Sequence, residues 1–241
     1  MMVSNSILGL NRFLTCINDS RVNRLTIGTY WILVEAEHGT GLVANPQNKM
    51  SIATVKEYQK KFDNNSLYQL ALLVKSDDLI ERAIGCAAIN ANTNHYGLKL
   101  TQDNGLSLSH YKEEKIVVVG RFPNLEQKLP TAIVLERNPG PGDLPEHEAP
   151  NVIPDCTQLI ITASTWVNGS LPGLLKLVET AHVSLIGPGT PFSPILRQHG
   201  IHKLAGFLVQ EPDELSRLIK NGAGVRQFKH LGIFWSIRAL I

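Results

Sequence analysis

The chain has 241 residues, 43% of them hydrophobic and 18% charged, so it is long enough to bury a core and its composition excludes a disordered protein. Its formal net charge is only +2, with lysines and arginines scattered along the chain, and this pattern predicts no binding to nucleic acid. Three widely spaced cysteines, no signal-peptide pattern and no apolar run of about eighteen residues predict a cytoplasmic protein without a membrane span.

The first part of the chain predicts a helix followed by a β-hairpin. Residues 4–17 place apolar side chains near helical spacing and predict an amphipathic helix. Residues 25–37 are rich in β-branched and aromatic side chains and predict a strand. The sequence His38-Gly39-Thr40-Gly41 supplies a turn, after which residues 42–44 form the returning arm.

Two further helices are predicted before the chain changes character. Residues 45–63 are polar and give no clear prediction. Residues 66–75 begin with the capping residue Ser66, and residues 77–90 begin at a cap on Ser76 or Asp77. The second of these helices is rich in alanine and glycine, which permit close packing. Together these elements predict an α+β unit.

A polar, turn-rich stretch at residues 92–114 is the predicted linker between domains at residues 1–100 and 110–241. After it, short apolar runs alternate with helical patterns, which predicts an α/β domain with a parallel sheet and right-handed crossovers. The predicted strands are residues 115–120, 132–136, 159–162, 183–186, 204–209 and a final edge strand at 232–238. The predicted helices are residues 124–129, 146–153, 171–180, 194–199 and 212–220.

Four strand-to-helix turns are predicted to meet at the carboxyl edge of this sheet, where ligands bind in open parallel sheets. The first turn contains Gly120 but no G-x-G-x-x-G pattern, so a dinucleotide site is not predicted. Arg121 in the same turn is placed to bind a carboxylate or phosphate, or else is a solvated surface charge.

The second turn holds most of the carboxylates. Residues 136–148 read ERNPGPGDLPEHE, which is too rich in proline and glycine for regular structure. Glu136 ends the strand, and Asp143 is placed to cap the next helix. His147 and Glu148 are adjacent and would point apart on a helix, which argues against a metal site built from this segment.

The third and fourth turns offer hydroxyl groups, amides and free backbone N–H groups. They read ASTWVNGS at residues 163–170 and GPGTPFSP at residues 187–194. Helix N-termini after such turns favour an anion or an oxygen-rich ligand, but Asn168, Ser170 and Ser193 also suit plain helix capping. No nucleophile elbow, Walker loop or H-E-x-x-H motif is present, so no specific catalytic machinery is visible.

Several extended segments carry a family resemblance. The segments STWVNGSLPGLL, SLIGPGTPFSPILRQHGI and LAGFLV resemble the signature of the putative heavy-metal chelation domain family, a Rossmann-like domain, and LERNPGPGDLPEHEAPNVIPDC is similar to its long loop and helix. The hairpin at residues 28–43 and the helix ending AIGCAAINA resemble the partner domain that often precedes it, which is similar in fold to the enolase N-terminal domain.

The resemblance implies an enolase-N-terminal-like α+β domain followed by a Rossmann-like α/β domain. It also implies a role in chelating or handling metal, sometimes linked to anaerobic cobalamin or metal-cofactor pathways, without settled catalytic residues. A transition metal or a metal complex is the implied ligand. The matching positions are Asn90, Gly120, Glu136, Asp143, Thr165, Asn168, Gly169, Gly187, Thr190, Ser193 and Pro194.

Three functions follow as hypotheses. The first is a small-ligand or metal-complex binding protein, with the ligand in an interdomain cleft at the strand ends that Asn90 closes. The second is an enzyme acting on a small anionic or metal-bearing substrate, with Glu136 or Asp143 as acid or base. The third is an assembly component without a ligand. The sequence leaves a homo-oligomer open.

Overall fold

The structure is a computed structural model that describes residues 10–47, 50–98, 100, 102–103, 105–106 and 114–238. It is a mixed α/β fold with two separate sheets. One sheet has three antiparallel strands and the other has seven strands, of which all but one run parallel. In the part of the chain so described, no helix is both long enough and apolar enough to cross a membrane.

The small sheet consists of β1 (Val22–Ile27), β2 (Trp31–Ala36) and β3 (Thr40–Ala44). The sequence predicts one strand over residues 25–37, and this prediction is wrong because the chain reverses after Gly28. The Gly28 N–H donates to the Trp31 carbonyl at 2.9 Å and closes the turn. A Cβ on Gly28 would lie only 2.2 Å from the Ile219 carbonyl oxygen, so the turn is pressed against a helix from the far end of the chain.

Four α-helices accompany this sheet: α1 (Leu10–Thr15), α2 (Ile52–Lys61), α3 (Leu67–Leu72) and α4 (Leu79–Thr93). The predicted helices at residues 66–75 and 77–90 are confirmed, the first continuing as a 3-10 turn over Leu73–Lys75. The prediction for residues 4–9 lies outside the described residues. Helix α2 is not predicted because it buries no residue fully, and only Val55 and Tyr58 pack, half-buried, against the core.

The backbone of helix α4 lies in direct contact with the backbones of β3 and of the 3-10 turn at Leu73–Lys75. A Cβ on Gly41 of β3 would lie 1.8 Å from the Ala87 carbonyl oxygen, and one on Gly85 would lie 2.1 Å from the Val74 nitrogen. The helix is capped by Asp78, which accepts from the backbone N–H groups of Ile80 and Glu81, and not by the predicted Ser76 or Asp77. The small residues of α4 thus bring it directly onto the sheet.

The large sheet consists of β4 (Ile116–Val119), β5 (Ile133–Glu136), β6 (Leu144–Pro145), β7 (Gln158–Thr162), β8 (His182–Ile186), β9 (Lys203–Val209) and β10 (Gly232–Arg238). Its spatial order is β10-β9-β8-β7-β4-β5-β6. The predicted edge strand β10 is confirmed and runs antiparallel to β9. The two-residue strand β6 lies in a segment predicted to be irregular, where it pairs with the end of β5.

The helices of this second part are short: α5 (Leu125–Lys128), α6 (Ala149–Val152), α7 (Ser164–Asn168), α8 (Leu171–Leu175), α9 (Pro212–Lys220) and α10 (Val225–Phe228). The predicted helix over residues 171–180 stops at Leu175, because Leu177 and Val178 donate to carbonyls three residues back, a turn pattern instead of an α-helical one. The segment predicted as a turn at residues 163–170 contains α7, which ends at Gly169 in the left-handed conformation (φ +81°).

The predicted linker at residues 92–114 is divided between the two parts of the chain. Its first two residues belong to α4, and Tyr96 donates its N–H to the His38 carbonyl, whereas Asp103 and Gly105 pack against the large sheet. The carboxylate of Asp103 lies 3.3 Å from the Lys203 ammonium group and accepts a hydrogen bond of 2.6 Å from the Ser236 hydroxyl. A Cβ on Gly105 would lie 2.3 Å from the Ala205 Cβ. These residues of the segment therefore belong structurally with β9 and β10.

Candidate functional site

The strand order of the large sheet reverses beside β4. From β4 the chain proceeds outward to β5 and β6, and then returns to β7 on the opposite side of β4. In open α/β sheets the crevice outside the carboxyl ends of strands at such a reversal is the usual ligand site. A cavity of about 430 Å³ lies there, within the size range of small-molecule pockets.

The cavity has walls from both parts of the chain. The ends of β4, β5 and β7 and the segments that follow them contribute most of its polar groups. Ala44, Asn45 and Pro46 after β3, together with Leu79 at the start of α4, form the wall contributed by the N-terminal part. The cavity therefore lies between the N-terminal part of the chain and the large sheet.

Gly120 sets the path of the loop after β4. Its φ is +92°, and a Cβ on it would lie 2.6 Å from the Thr162 Cγ2 atom. Only glycine combines this backbone conformation with so close an approach to β7. The loop consequently turns tightly over the strand ends and brings Arg121 to the edge of the cavity.

The side chain of Arg121 is held by two carboxylates. Its Nε donates to Asp143 Oδ2 at 3.1 Å, its Nη2 donates to Asp143 Oδ1, and its Nη1 donates to Glu126. The Asp143 side chain is 1% exposed and also accepts from the Gly140 N–H at 3.0 Å. The neighbouring guanidinium lowers the pKa of Asp143, so this carboxylate stays ionised. Asp143 thus fixes Arg121 and does not cap a helix as predicted.

Glu136 is placed differently from the other carboxylates of this region. Its Oε1 accepts from the Arg121 N–H at 2.6 Å, and its Oε2 accepts from the Arg137 N–H at 3.1 Å. The Arg137 side chain turns away to Glu146, with its Nε 2.7 Å from Glu146 Oε2. Within the described ranges Glu136 has no ion-pair partner, although it lines the cavity.

The loop after β7 supplies hydroxyl and amide groups. The Thr165 hydroxyl donates to the Thr162 carbonyl at 2.7 Å, and Asn168 Oδ1 accepts from the Ser170 N–H at 2.9 Å. These bonds shape the loop internally. The Thr162 and Ser164 hydroxyls, 3.4 Å apart, lie in the same cavity wall.

The loop after β8 does not reach the cavity, because it is fastened to α4. Asn90 is fully buried and its Nδ2 donates to the carbonyls of Leu42, at 3.2 Å, and Gly189, at 2.8 Å. Asn94 donates to the Thr190 carbonyl at 3.1 Å and accepts from the Phe192 N–H at 2.7 Å. Asn90 therefore joins the two parts of the chain at a buried contact and does not line the cleft.

The sequence-predicted site residues thus separate into two groups. The cavity includes Gly120, Arg121, Glu136, Thr165 and Asn168. The residues that lie outside its lining are Asn90, Asp143, Gly169, Gly187, Thr190 and Ser193. Among the latter, Ser193 accepts from the Ile195 N–H at 3.3 Å and is the predicted helix cap.

Several lining residues are missed by sequence reasoning. Arg137, Thr162 and Ser164 are not singled out as binding residues, and Ser170 is considered only as a helix cap. An interdomain cleft is predicted, but the residues that form its N-terminal wall are not. The Asn45-Pro46 turn directly after β3 is the available signal, since Asn45 uses its side chain to bind the Gly28 carbonyl at 2.7 Å. Which loop such a turn would face depends on long-range packing.

The fold and the cavity define a mixed α/β protein with a small-molecule-sized cavity at the strand-order reversal. The chain belongs to the family described as putative heavy-metal chelation (DUF364), whose model matches residues 104–237. A second model with the same description, DUF4213, matches residues 10–92. A search of the curated proteins found no match.

Two solved structures are similar over their whole length. A protein of unknown function from the DUF364 family of Desulfitobacterium hafniense DCB-2 is 28% identical, with a TM-score of 0.85 over 99% of this chain and 100% of that one. A second DUF364 protein of unknown function, from Pyrococcus horikoshii, is 24% identical, with a TM-score of 0.77 over 97% of this chain and 100% of that one. The second likeness supports the fold alone.

The family description raises the question of a metal. Among the residues whose positions are described, no three His, Cys, Asp or Glu side chains come together in a way that could hold a metal ion. Near the cavity, Asp143 is bound to Arg121 and Glu146 is bound to Arg137. The donor set at this cavity does not fit a bare ion held by protein side chains alone.

Proposed function

We propose that the protein binds a small metal complex in the cavity formed by the carboxyl ends of β4, β5 and β7 and by the N-terminal wall. The observation that carries this proposal is the position of the cavity at the strand-order reversal, with lining residues from both parts of the chain. The family description supports a ligand that contains metal. Because the described side chains offer no three-donor cluster, the metal would arrive with ligands of its own.

The lining is organised before any ligand arrives. Glu136 is oriented by two backbone N–H groups, and the loop carrying Arg121 is held by the Asp143 carboxylate. Groups fixed in this way lose little conformational entropy on binding. They would contact the outer ligands of a complex through hydrogen bonds and charge.

Isothermal titration with hexaamminecobalt(III) chloride and with cobalt(II) chloride tests the proposal. We expect the inert complex to bind more tightly than roughly 1 mM, which corresponds to about −4 kcal/mol. Leu79→Trp should weaken this binding about tenfold or more, because Leu79 lines the cavity. Leu72→Trp is the matched control, since Leu72 is 39% exposed, against 38% for Leu79, and lies outside the cavity. Equal loss in both variants, or no binding at all, would contradict the proposal.

Catalysis on the bound ligand is a second candidate function, and Glu136 is the residue that favours it. It lines the cavity, within reach of a bound ligand, and has no ion-pair partner among the described side chains. Asp143 does not suit the role, since the hydrogen bonds from Arg121 lower its pKa and make it a weaker base, and both of its oxygens already accept hydrogen bonds. Mass spectrometry of a ligand recovered after incubation with the protein separates the two functions. An unchanged mass supports binding alone, and a changed mass supports catalysis.

We also propose that residues 1–100 and 110–241 form two domains, the first enolase-N-terminal-like and the second Rossmann-like. The separation of the two sheets supports this division, as do the two family models that match residues 10–92 and 104–237. On this proposal the cavity is an interdomain cleft, a common place for small-molecule sites.

A further inference from the structure

Within the described part of the chain, one charged side chain of the cavity lining lacks an ion-pair partner. Two arginines and two glutamates line the cavity: Arg121, Arg137, Glu136 and Glu146. Arg137 pairs with Glu146, and Arg121 pairs with Asp143 and Glu126, which lie outside the lining.

The two arginines that line the cavity are each paired with carboxylates. The Nε, Nη1 and Nη2 atoms of Arg121 each donate to Asp143 or Glu126, and Arg137 Nε donates to Glu146. A carboxylate or phosphate bound bidentately by Nε and Nη2 of Arg121 would have to displace Asp143, which occupies both atoms. These ion pairs reduce the attraction of the two arginines for an anionic ligand.

Glu136 is the lining carboxylate that no described cation neutralises. Its two oxygens are hydrogen-bonded by the backbone N–H groups of Arg121 and Arg137, which orient it but carry no full charge. A cleft with an unbalanced charge and low-dielectric walls concentrates ligands of the opposite sign. Glu136 thus favours a positive group in the cavity.

The cavity lining also contains apolar side chains. Ala44, Pro46 and Leu79 come from the N-terminal part, Val119 and Leu135 from the large sheet, and Val167 from α7. Burial against such side chains favours an organic portion of the ligand over a fully hydrated ion. The lining therefore suits a ligand that has both a charged group and an apolar portion.

We infer that the cavity selects a ligand with positive charge and an apolar body, such as a cationic complex with organic ligands or a protonated amine, and that Glu136 determines this selectivity. The inference rests on the proposed function, because it concerns the ligand of the same cavity. It goes further by naming the charge and the apolar character of the preferred ligand.

Three probes with the same ring test the selectivity on the full chain: benzylammonium, benzyl alcohol and benzoate. Dissociation constants come from ¹⁵N chemical-shift titrations at neutral pH and low salt, where electrostatic differences are least screened. We expect benzylammonium to bind about tenfold or more tightly than benzoate, with benzyl alcohol between them. Shifts should include the amides of Gly120, Arg121 and Arg137, which border Glu136.

Glu136→Gln removes the charge and keeps the size of the side chain. It should weaken benzylammonium about tenfold, abolish the preference over benzoate and leave benzyl alcohol unchanged. Glu136→Asp, which retains the charge, should keep the preference. Glu214→Gln is the control for loss of a surface carboxylate, since Glu214 pairs with Arg217 on α9 and lies outside the cavity.

The outcomes separate the two proposals. Equal or tighter binding of benzoate, or an unchanged preference in a folded Glu136→Gln protein, would overturn the charge selectivity and leave the binding function standing. If none of the three probes shifted cavity amides while hexaamminecobalt(III) still bound, the selectivity would be overturned and the binding function left standing. If hexaamminecobalt(III) also failed to bind, the binding function would be contradicted as well.

Discussion

The loops after β7 and β8 share a plan but occupy different environments. Each follows a buried parallel strand, begins with small and polar residues and leads into a helical turn. The loop at residues 163–170 lines the cavity, whereas the loop at residues 187–194 is bonded to α4 by Asn90 and Asn94. The carboxyl edge of a sheet thus offers a ligand only the loops that other elements leave uncovered.

The physical basis of the difference lies in α4. Its small residues allow backbone contact with β3, and this close approach carries the carboxamides of Asn90 and Asn94 into the β8 loop. At the cavity, α4 contributes only Leu79 to the lining, at its first turn. Helix α4 therefore covers the loop at residues 187–194, called the closed loop. It leaves the cavity-lining loops uncovered, and these are called the open side.

Breaking the closed loop should have the largest effect. Asn94→Ala leaves the buried Thr190 carbonyl and Phe192 N–H without their partner, and we expect a loss of roughly 2–4 kcal/mol in the free energy of unfolding. Urea denaturation measures this loss. Asn151→Ala, at an exposed position where the side chain bonds only Glu148, should change stability by less than about 0.5 kcal/mol. Similar small effects for both variants would contradict the role given to Asn94.

The open side depends on Gly120 for its shape. Gly120→Ala places a Cβ 2.6 Å from Thr162 at a φ of +92°, and a loss of about 2–3 kcal/mol in unfolding free energy is expected, with weaker ligand binding. Gly142→Ala is a matched control, because its φ is +85° but no atom lies within 4 Å of the added Cβ. It should cost about 1 kcal/mol. Equal losses in the two variants would show that contact with β7 is unimportant.

The Arg121–Asp143 pair gives the open side a pH dependence. Arg121 lowers the pKa of Asp143 below its ordinary 3.8, so the stability contributed by this pair is fully present above that value and is lost as pH falls through the lowered folded-state value. Asp143→Asn should therefore show a shallower fall of unfolding free energy below about pH 4 than the unmodified protein. Asp77→Asn controls for loss of one exposed carboxylate. A parallel slope in Asp143→Asn would refute the pairing.

The smallest expected effect is on ligand affinity, and it is measured by substituting two threonines, one in each loop. Thr165 lines the cavity and its hydroxyl bonds the Thr162 carbonyl, while Thr190 is fully buried in the closed loop. Thr165→Val should weaken binding of hexaamminecobalt(III) a few-fold, in keeping with about 1 kcal/mol for a lost hydrogen bond. Thr190→Val should leave that affinity unchanged. The reverse order in titration calorimetry would place the ligand at the β8 loop instead.

The strands of the large sheet are predictable because β4 and β9 are buried along their whole length and therefore read as continuous apolar runs. Glu136, Arg121 and Gly120 are found by their position at strand ends. The break at Gly28 is not predictable, since it depends on contact with Ile219 far along the chain. The covering of the β8 loop by α4 is likewise a tertiary contact, and so Asn90, Thr190 and Ser193 could not be separated from the cavity residues in advance.

The central claim is that the ligand occupies the cavity beside Glu136 and not the β8 loop. A crystal structure of the protein soaked with hexaamminecobalt(III), with data collected at the cobalt absorption edge, tests it directly. We predict an anomalous peak within the cavity, between the Glu136 carboxylate and the loop after β7. A peak at residues 187–194, or peaks confined to surface carboxylates such as Glu214, would contradict the account.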